Sequence, residues 1–251
     1  MTRRCWIADE VTGDTAALVG EHAAHLARVL RAEIGQEFDI ATGDEVRRGI
    51  ITTISYDRIE FALGKKQHHG LKSKHWAASR ITLALAIFKF DRMEWAIEKC
   101  TEIGVARIIP VIARRSDVHL AAAAAKRHER WLRIVRQAAE QSRRSAPPEI
   151  TTPVKLKELD DPGVLSASAT RVVLAESLVE SEEDARLGDV LRSRSAEAEV
   201  ALAVGPEGGW TESELTWFCD AGWTAASLGT TILRAETAAI VATALAMEAL
   251  R

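Results

Sequence analysis

The stretch from Ala201 to Ala239, ALAVGPEGGWTESELTWFCDAGWTAASLGTTILRAETAA, holds two glycine-bearing loops, each directly after an apolar run. Gly205-Pro206-Glu207-Gly208-Gly209 follows Val200–Val204, and Leu228–Arg234 follows Ala225–Leu228. An apolar run that stops at glycines predicts a buried strand ending in a tight loop. In open α/β sheets, ligands sit outside the carboxyl ends of the strands. The two loops are therefore expected to hold a small ligand. The plainer alternative is a pair of tight strand-to-helix turns.

The chemistry of the loops narrows the ligand. A phosphate cradle wants several free N–H groups and a lysine. Here Pro206 removes a donor, Glu207 adds negative charge and no lysine follows. Glycines without phosphate chemistry suit close backbone approach to a flat, uncharged group such as an adenine. Glu236 falls in the first turn of a helix, where a carboxylate is favoured whatever its function. Arg234, just before it, is opposed by the same dipole, which points to a functional partner.

The flanking sequence predicts an α/β domain. Arg80–Phe88, Val105–Ala113 and Arg171–Glu176 are apolar enough for buried strands. Between the first two, a helix is expected over 91–103, with Asp91 as N-cap, a stripe of Met93, Ala96, Ile97 and Cys100, and Gly104 as the stop. A longer helix over 123–143 would bury Trp131, Ile134, Val135, Ala138, Ala139 and Ser142. Thr211 and Glu214 have capping-box spacing. The last helix, over 235–250, is apolar nearly all round, so it is expected to be buried or to sit at a subunit interface. Residues 1–72 differ: Glu37–Ala41, Val46–Ser55 and Arg58–Leu63 predict strands, and His22, His25, Leu26, Val29 and Leu30 one helix ending at Gly35. A small β-barrel is expected, with Gln67–Lys74 as linker. His68-His69 has no companion ligands, so no metal is expected.

Net charge is −3, yet between Arg107 and Arg144 there are ten basic and three acidic residues. Such an excess favours an anionic partner, unless the arginines pair with the acidic C-terminal third. Arg28, Arg31, Arg47 and Arg48 lie where they could meet RNA phosphate, or form a solvated charged surface. Cys5, Cys100 and Cys219 form no pairing or zinc pattern and are expected as buried thiols. No run is long enough to span a membrane and no signal peptide is evident, so cytoplasmic residence is expected.

V-G-P-E-G-G-W at 204–210 and L-G-T-T-I-L-R-A-E-T-A at 228–238 resemble the signature loops of the RsmE-type 16S rRNA uridine-N3 methyltransferases, in the SPOUT (trefoil-knot) class. H-L-A-R-V-L-R at 25–31, R-M-E-W-A-I-E-K-C-T-E-I-G-V at 92–105, Arg115-Ser116 and A-A-E-Q-S-R-R at 138–144 match in the same order. The resemblance implies a PUA-like RNA-binding β-barrel over 1–72 and a knotted α/β methyltransferase domain with a parallel sheet over 73–251. It implies a homodimer acting on 16S rRNA of the small ribosomal subunit, near the decoding centre. It implies S-adenosyl-L-methionine held by Leu174, Ala175 and Glu176, by Val204, Gly205, Pro206, Glu207, Gly208 and Gly209, and by Leu228, Gly229, Thr231, Ile232 and Leu233. Arg28, Arg31, Arg115, Arg143 and Arg144 are then the expected RNA contacts. Arg234 is expected to stabilise the uridine anion, and Glu236 is a candidate base. Thr231 stands where the family usually has a basic residue, and Arg114 where it usually has a glutamate. The alternatives are another RNA target in the same class (a ribose 2′-hydroxyl or tRNA) and a non-catalytic RNA-binding adaptor.

Overall fold

The computed structural model describes residues 4–43, 45–66, 80–166, 169–175, 185–194 and 199–250. They fall into two compact units. One comprises those within 1–78 and 136–147, the other those within 79–135 and 148–251.

The first unit is a sheet of β1 (Cys5–Ile7), β2 (Glu10–Thr12), β3 (Thr15–Val19), β4 (Glu37–Ala41), β5 (Val46–Ile54) and β6 (Arg58–Lys66). Their spatial order is β1-β4-β5-β6-β3-β2, with every neighbouring pair antiparallel except β1 and β4. Trp6, Leu18, Leu26, Ile40, Ile51, Ile59 and Phe61 form its core. Register shifts in the β5–β6 ladder curl the sheet. The expected closed barrel is not what forms: among the described residues the sheet ends at β1 and β2, a half-barrel. Both edge strands are three residues long, and β2 is exposed throughout, so it offers no apolar face for closure.

The expected helix is also shorter. α1 (Glu21–Ala24) runs into a widened π-turn over His25–Val29, and Arg31 ends it at φ 51°, ahead of Gly35. The wide turn adds a residue per repeat and rotates the stripe. Leu26 stays buried, while Val29 and Leu30 are 64% and 52% exposed. Arg143 has the same left-handed backbone, at φ 62°.

The arginines of 136–144 in this unit are not free. Arg136 Nη1 donates to Asp9 at 2.7 Å, and Arg143 Nη2 to Asp39 at 2.9 Å. Burial opposes the Asp9 carboxylate, but hydrogen bonds from His22, the Val19 N–H and Arg136 outweigh it and hold its pKa at about 2.

The second unit is built on parallel strands in the order β10-β8-β7-β12-β11-β13, with β9 also on β8. The strands are β7 (Ile81–Ala86), β8 (Arg107–Ile112), β9 (Glu149–Ile150), β10 (Val154–Lys155), β11 (Thr170–Leu174), β12 (Val200–Val204) and β13 (Thr224–Ala226). The helices are α2 (Phe90–Ile103), α3 (Val118–Gln141, which passes into the first unit at Arg136), α4 (Leu187–Ser193), α5 (Glu212–Asp220) and α6 (Ala235–Ala249). Strands apolar on both faces belong in a sheet covered on both sides. The faces differ in size. Ile81, Leu83, Leu85, Leu202 and Val204 pack with α2, α4 and α6. Ala84, Ala86, Ala201 and Ala203 point the other way and leave room for Trp210, Phe218 and Trp223.

Three expectations change here. α2 begins one residue earlier than Asp91, with Lys89 flanking it and no side-chain cap. Cys5 and Cys100 are buried, but Cys219 is exposed on the outer side of α5. Two arginines of α3 in this unit pair with a neighbouring helix and not with the acidic C-terminal third. Arg130 Nε lies 2.7 Å and Arg127 Nη1 3.6 Å from the buried Glu94 of α2. Among the described residues, no helix is long and apolar enough to cross a membrane.

Two outcomes follow from the first unit. Glycine is the default where φ is positive, because a Cβ costs about 1–2 kcal/mol there. Arg31→Gly should therefore stabilise this unit by about 1 kcal/mol, read as a higher urea midpoint. Asp9 has a folded pKa below its ordinary 3.8. Its contribution is fully present above that value and is lost as pH falls towards about 2. Asp9→Asn should thus lose less stability than the parent over that pH window, read by urea unfolding.

Candidate active site

The carboxyl ends of β11, β12 and β13 lie side by side in the parallel sheet. The pairings Val173–Ala203 and Leu174–Ala226 set the register. The Ala175 N–H donates to the Ala226 carbonyl at 3.1 Å, which brings the end of β11 onto the end of β13. The two glycine loops leave the sheet here and wall a cavity of about 480 Å³, a volume in the usual range for a small-molecule site.

The first loop is fastened from both ends. Gly209 N–H closes a turn on the Pro206 carbonyl at 2.8 Å, with Gly209 at φ 67°. Trp210 follows and drops into the alanine face of the sheet, edge-on to Phe218 at 4.9 Å. A Cβ on Gly205 would stand 3.2 Å from Trp210 Nε1, so a side chain there would push on the anchor. Thr211 and Glu214 form the expected capping box, and Glu214 goes further. Its Oε2 accepts from the Thr211 N–H at 2.8 Å and its Oε1 from the Arg114 N–H at 2.8 Å.

The second loop, over 227–234, is exposed. Ile232 lines the cavity with 79% of its surface open to solvent, an apolar side chain with nothing yet against it. Arg234 flanks the first residue of α6 without capping it, and no ion pair holds it among the described residues.

The comparisons with known proteins fit this geometry. Residues 75–247 match the family model for the RNA methyltransferase domain. The ribosomal RNA small subunit methyltransferase E of Rickettsia conorii is 32% identical over 230 residues, covering 90% of this chain and 87% of that protein. Its counterpart from Synechocystis is 30% identical over 237 residues, covering 94% and 74%. A crystal structure of ribosomal RNA small subunit methyltransferase E from Neisseria gonorrhoeae, bound to S-adenosyl methionine, superposes with a TM-score of 0.81 at 30% identity, covering 97% of this chain and 96% of that one. The chain belongs to the ribosomal RNA small subunit methyltransferase E family. It is an RNA methyltransferase.

Within the methyltransferase domain, the residues expected around the cofactor gather in one place. Leu174, Ala175, Val204–Gly209, Leu228, Gly229, Thr231, Ile232, Leu233 and Arg234 all line the cavity. Glu176 lies outside the described residues. Arg115, expected at an RNA face, lines the cavity and donates from Nη1 to the Gly208 carbonyl at 2.6 Å and the Trp210 carbonyl at 3.3 Å. Glu236 is 5% exposed and is not part of the lining. Arg28, Arg31, Arg143 and Arg144 belong to the first unit. There Arg28 stacks on Tyr56 at 4.8 Å, and burial lowers the Arg144 pKa to about 10.

Sequence reasoning missed Trp210 as the loop anchor and Arg92 as a lining residue. Arg92 sits in the first turn of α2, just past the carboxyl end of β7. The strand-end rule that singled out the glycine loops applies equally to that position. Once β7 is known to neighbour β12, Arg92 is placed beside them.

Glu214→Ala would strand two backbone donors at the end of the first loop. Hydrogen bonds to charged groups contribute about 1.5–3 kcal/mol each, net of exchange with water. The variant should be less stable by about 2 kcal/mol, read as a lower melting temperature, and amides in 205–211 should exchange faster with deuterium.

Proposed function

We propose that this chain transfers the methyl group of S-adenosyl-L-methionine to N3 of a uridine in 16S rRNA of the small ribosomal subunit. The cavity walled by two glycine loops at the strand ends carries this reading. Backbone of Val204–Gly209 and of Leu228–Leu233, with Leu174 and Ala175, would hold the donor. The fit is sound on three counts: the lining has no lysine, the backbone at Gly205 is packed closely on Trp210, and Ile232 presents an uncovered apolar surface. When bound, the donor supplies a methyl group on a sulfonium.

The chain's own residues do the rest. The walls fix the direction of approach, and the entropy of bringing two reactants together is met in the binding step. At the target base, the N3–H bond breaks and its proton passes to solvent water. The N3 electron pair forms the new N–CH3 bond, and the S–CH3 pair remains on sulfur. Arg234 stands at the cavity rim, where negative charge on the base would develop.

The same reading assigns the RNA contacts and the finer architecture. Residues 1–72 would act as a PUA-like RNA-binding module, with Arg28 and Arg31 towards phosphate, while Arg143 is held by Asp39 and Arg144 is 5% exposed. Tyr56, 81% exposed beneath Arg28, suits stacking on an unpaired base. Residues 73–251 would form the knotted domain. The small residues Ala235, Ala239, Ala242 and Ala246 let α6 seat closely on the sheet and α2, as tucking behind a loop requires. Leu245, 41% exposed, keeps part of α6 apolar at the surface, which supports a homodimer through that helix. An rRNA substrate supports a cytoplasmic enzyme.

Methyl transfer to 30S subunits and to naked 16S rRNA, followed by digestion and chromatography against N3-methyluridine and 2′-O-methyluridine, tests the assignment. N3-methyluridine is expected, and the ribose product alone would overturn it. Arg234→Ala should lower turnover by about 100-fold, with donor affinity by calorimetry within about twofold of the parent.

A further inference from the structure

Three guanidinium groups line the cavity, from Arg92, Arg115 and Arg234. Arg115 is engaged by the Gly208 and Trp210 carbonyls. Arg234 already has a proposed role. Arg92 has none, and its surroundings are specific. Its side chain is 36% exposed, and its Nη1 lies 3.8 Å from Glu236 Oε1. That distance makes an ion pair without a hydrogen bond. The N–H donors of the fork are thus not consumed by the contact.

Glu236 is built to hold such a cation. It is 5% exposed, and its Oε2 has no hydrogen-bond partner among the described residues. It lies in the first turn of α6, where the helix dipole favours the charged form. Removing Arg92 would leave the buried Glu236 carboxylate uncompensated, so Glu236 draws the half-exposed guanidinium to its side of the cavity. Glu236 does not reach the cavity surface, which makes it a poor proton acceptor for a base bound there. The other charged groups facing the cavity are Arg115, which follows β8, Glu207 of the first loop and Arg234 of the second.

We infer that Arg92 is a second catalytic residue of this site, donating to a carbonyl oxygen of the target uracil as N3 loses its proton, and that Glu236 is the positioning residue that holds it. The inference rests on the uridine-N3 reading above and deepens it. A neutral uracil carries no net charge. Once the N3 proton has passed to solvent water, the pair left behind spreads over N3, O2 and O4. A guanidinium aimed at one of those oxygens binds the anion more tightly than the neutral base, and so lowers the barrier. Arg92 enters from α2 and Arg234 from the head of α6. Two cations on separate elements can engage the two carbonyl oxygens that flank N3.

The test uses the full-length enzyme, 30S subunits and saturating S-adenosylmethionine, with Arg92→Ala, Arg92→Lys, Glu236→Gln and Glu236→Asp. Turnover is measured across about pH 6 to 10, and donor affinity by calorimetry. Arg92→Ala should lose about 100-fold in kcat near neutral pH, and the deficit should shrink as rising pH ionises N3 without help. Arg92→Lys should recover part of the loss. Glu236→Gln should show the same pH trend at about a 10-fold loss, and Glu236→Asp less. A loss in Arg92→Ala that is equal at every pH would mark a structural role and overturn the inference. So would parental turnover, or a tenfold weaker donor affinity, which would assign Arg92 to the donor instead. If the parent enzyme itself makes no N3-methyluridine, the underlying reading fails with it, and that outcome is visible before any variant is compared.

Discussion

The site depends on a mismatch of side-chain size between the two faces of one sheet. Ala84, Ala86, Ala201 and Ala203 leave a shallow layer beneath α5, and Trp210, Phe218 and Trp223 fill it. The three rings meet edge to face, with centroids 4.9 and 5.1 Å apart around Phe218. Trp210 is also the residue that ends the first glycine loop. Burying that ring therefore sets the height at which the loop crosses the strand ends. Gly205 follows from the same packing, since a side chain there would push on the indole. The loop is shaped by what lies under it as much as by its own glycines.

Charge then divides the labour around the cavity. Glu214 gathers the Thr211 and Arg114 N–H groups on the side of the first loop, and Arg115 ties that loop's carbonyls. Both are structural uses of ionic groups. On the opposite side, Arg92 and Arg234 keep donors available, one braced from behind by Glu236 and the other at a helix start where its charge is disfavoured. An arrangement that spends cations on fastening one loop and leaves cations open on the other suits a reaction whose charge appears only in passing.

How far the sequence led can be judged residue by residue. The strands at 81–86, 107–112 and 200–204, the box at Thr211 and Glu214, and both glycine loops carry local signals, and all appear where the spacing put them. The π-turn after Ala24 was not legible, because helical spacing cannot show where a turn widens. Leu26 kept its place while Val29 and Leu30 left theirs. The half-barrel was missed since closure depends on edge strands meeting, not on any strand's own pattern. The Arg92–Glu236 pair spans elements far apart in the chain, and it emerges only once β7 is known to lie next to β12.

The pairing of arginines with carboxylates has a consequence for how RNA affinity responds to salt. Counting residues between Arg107 and Arg144 suggests a dense cationic surface. Yet Arg127 and Arg130 face Glu94, Arg136 faces Asp9 and Arg143 faces Asp39. The salt dependence of binding measures counterions displaced from phosphates, and an arginine compensated by its own protein displaces fewer. The plot of affinity against ionic strength should accordingly be shallower than the basic count implies. More of the recognition is then left to shape and stacking, which salt does not erase.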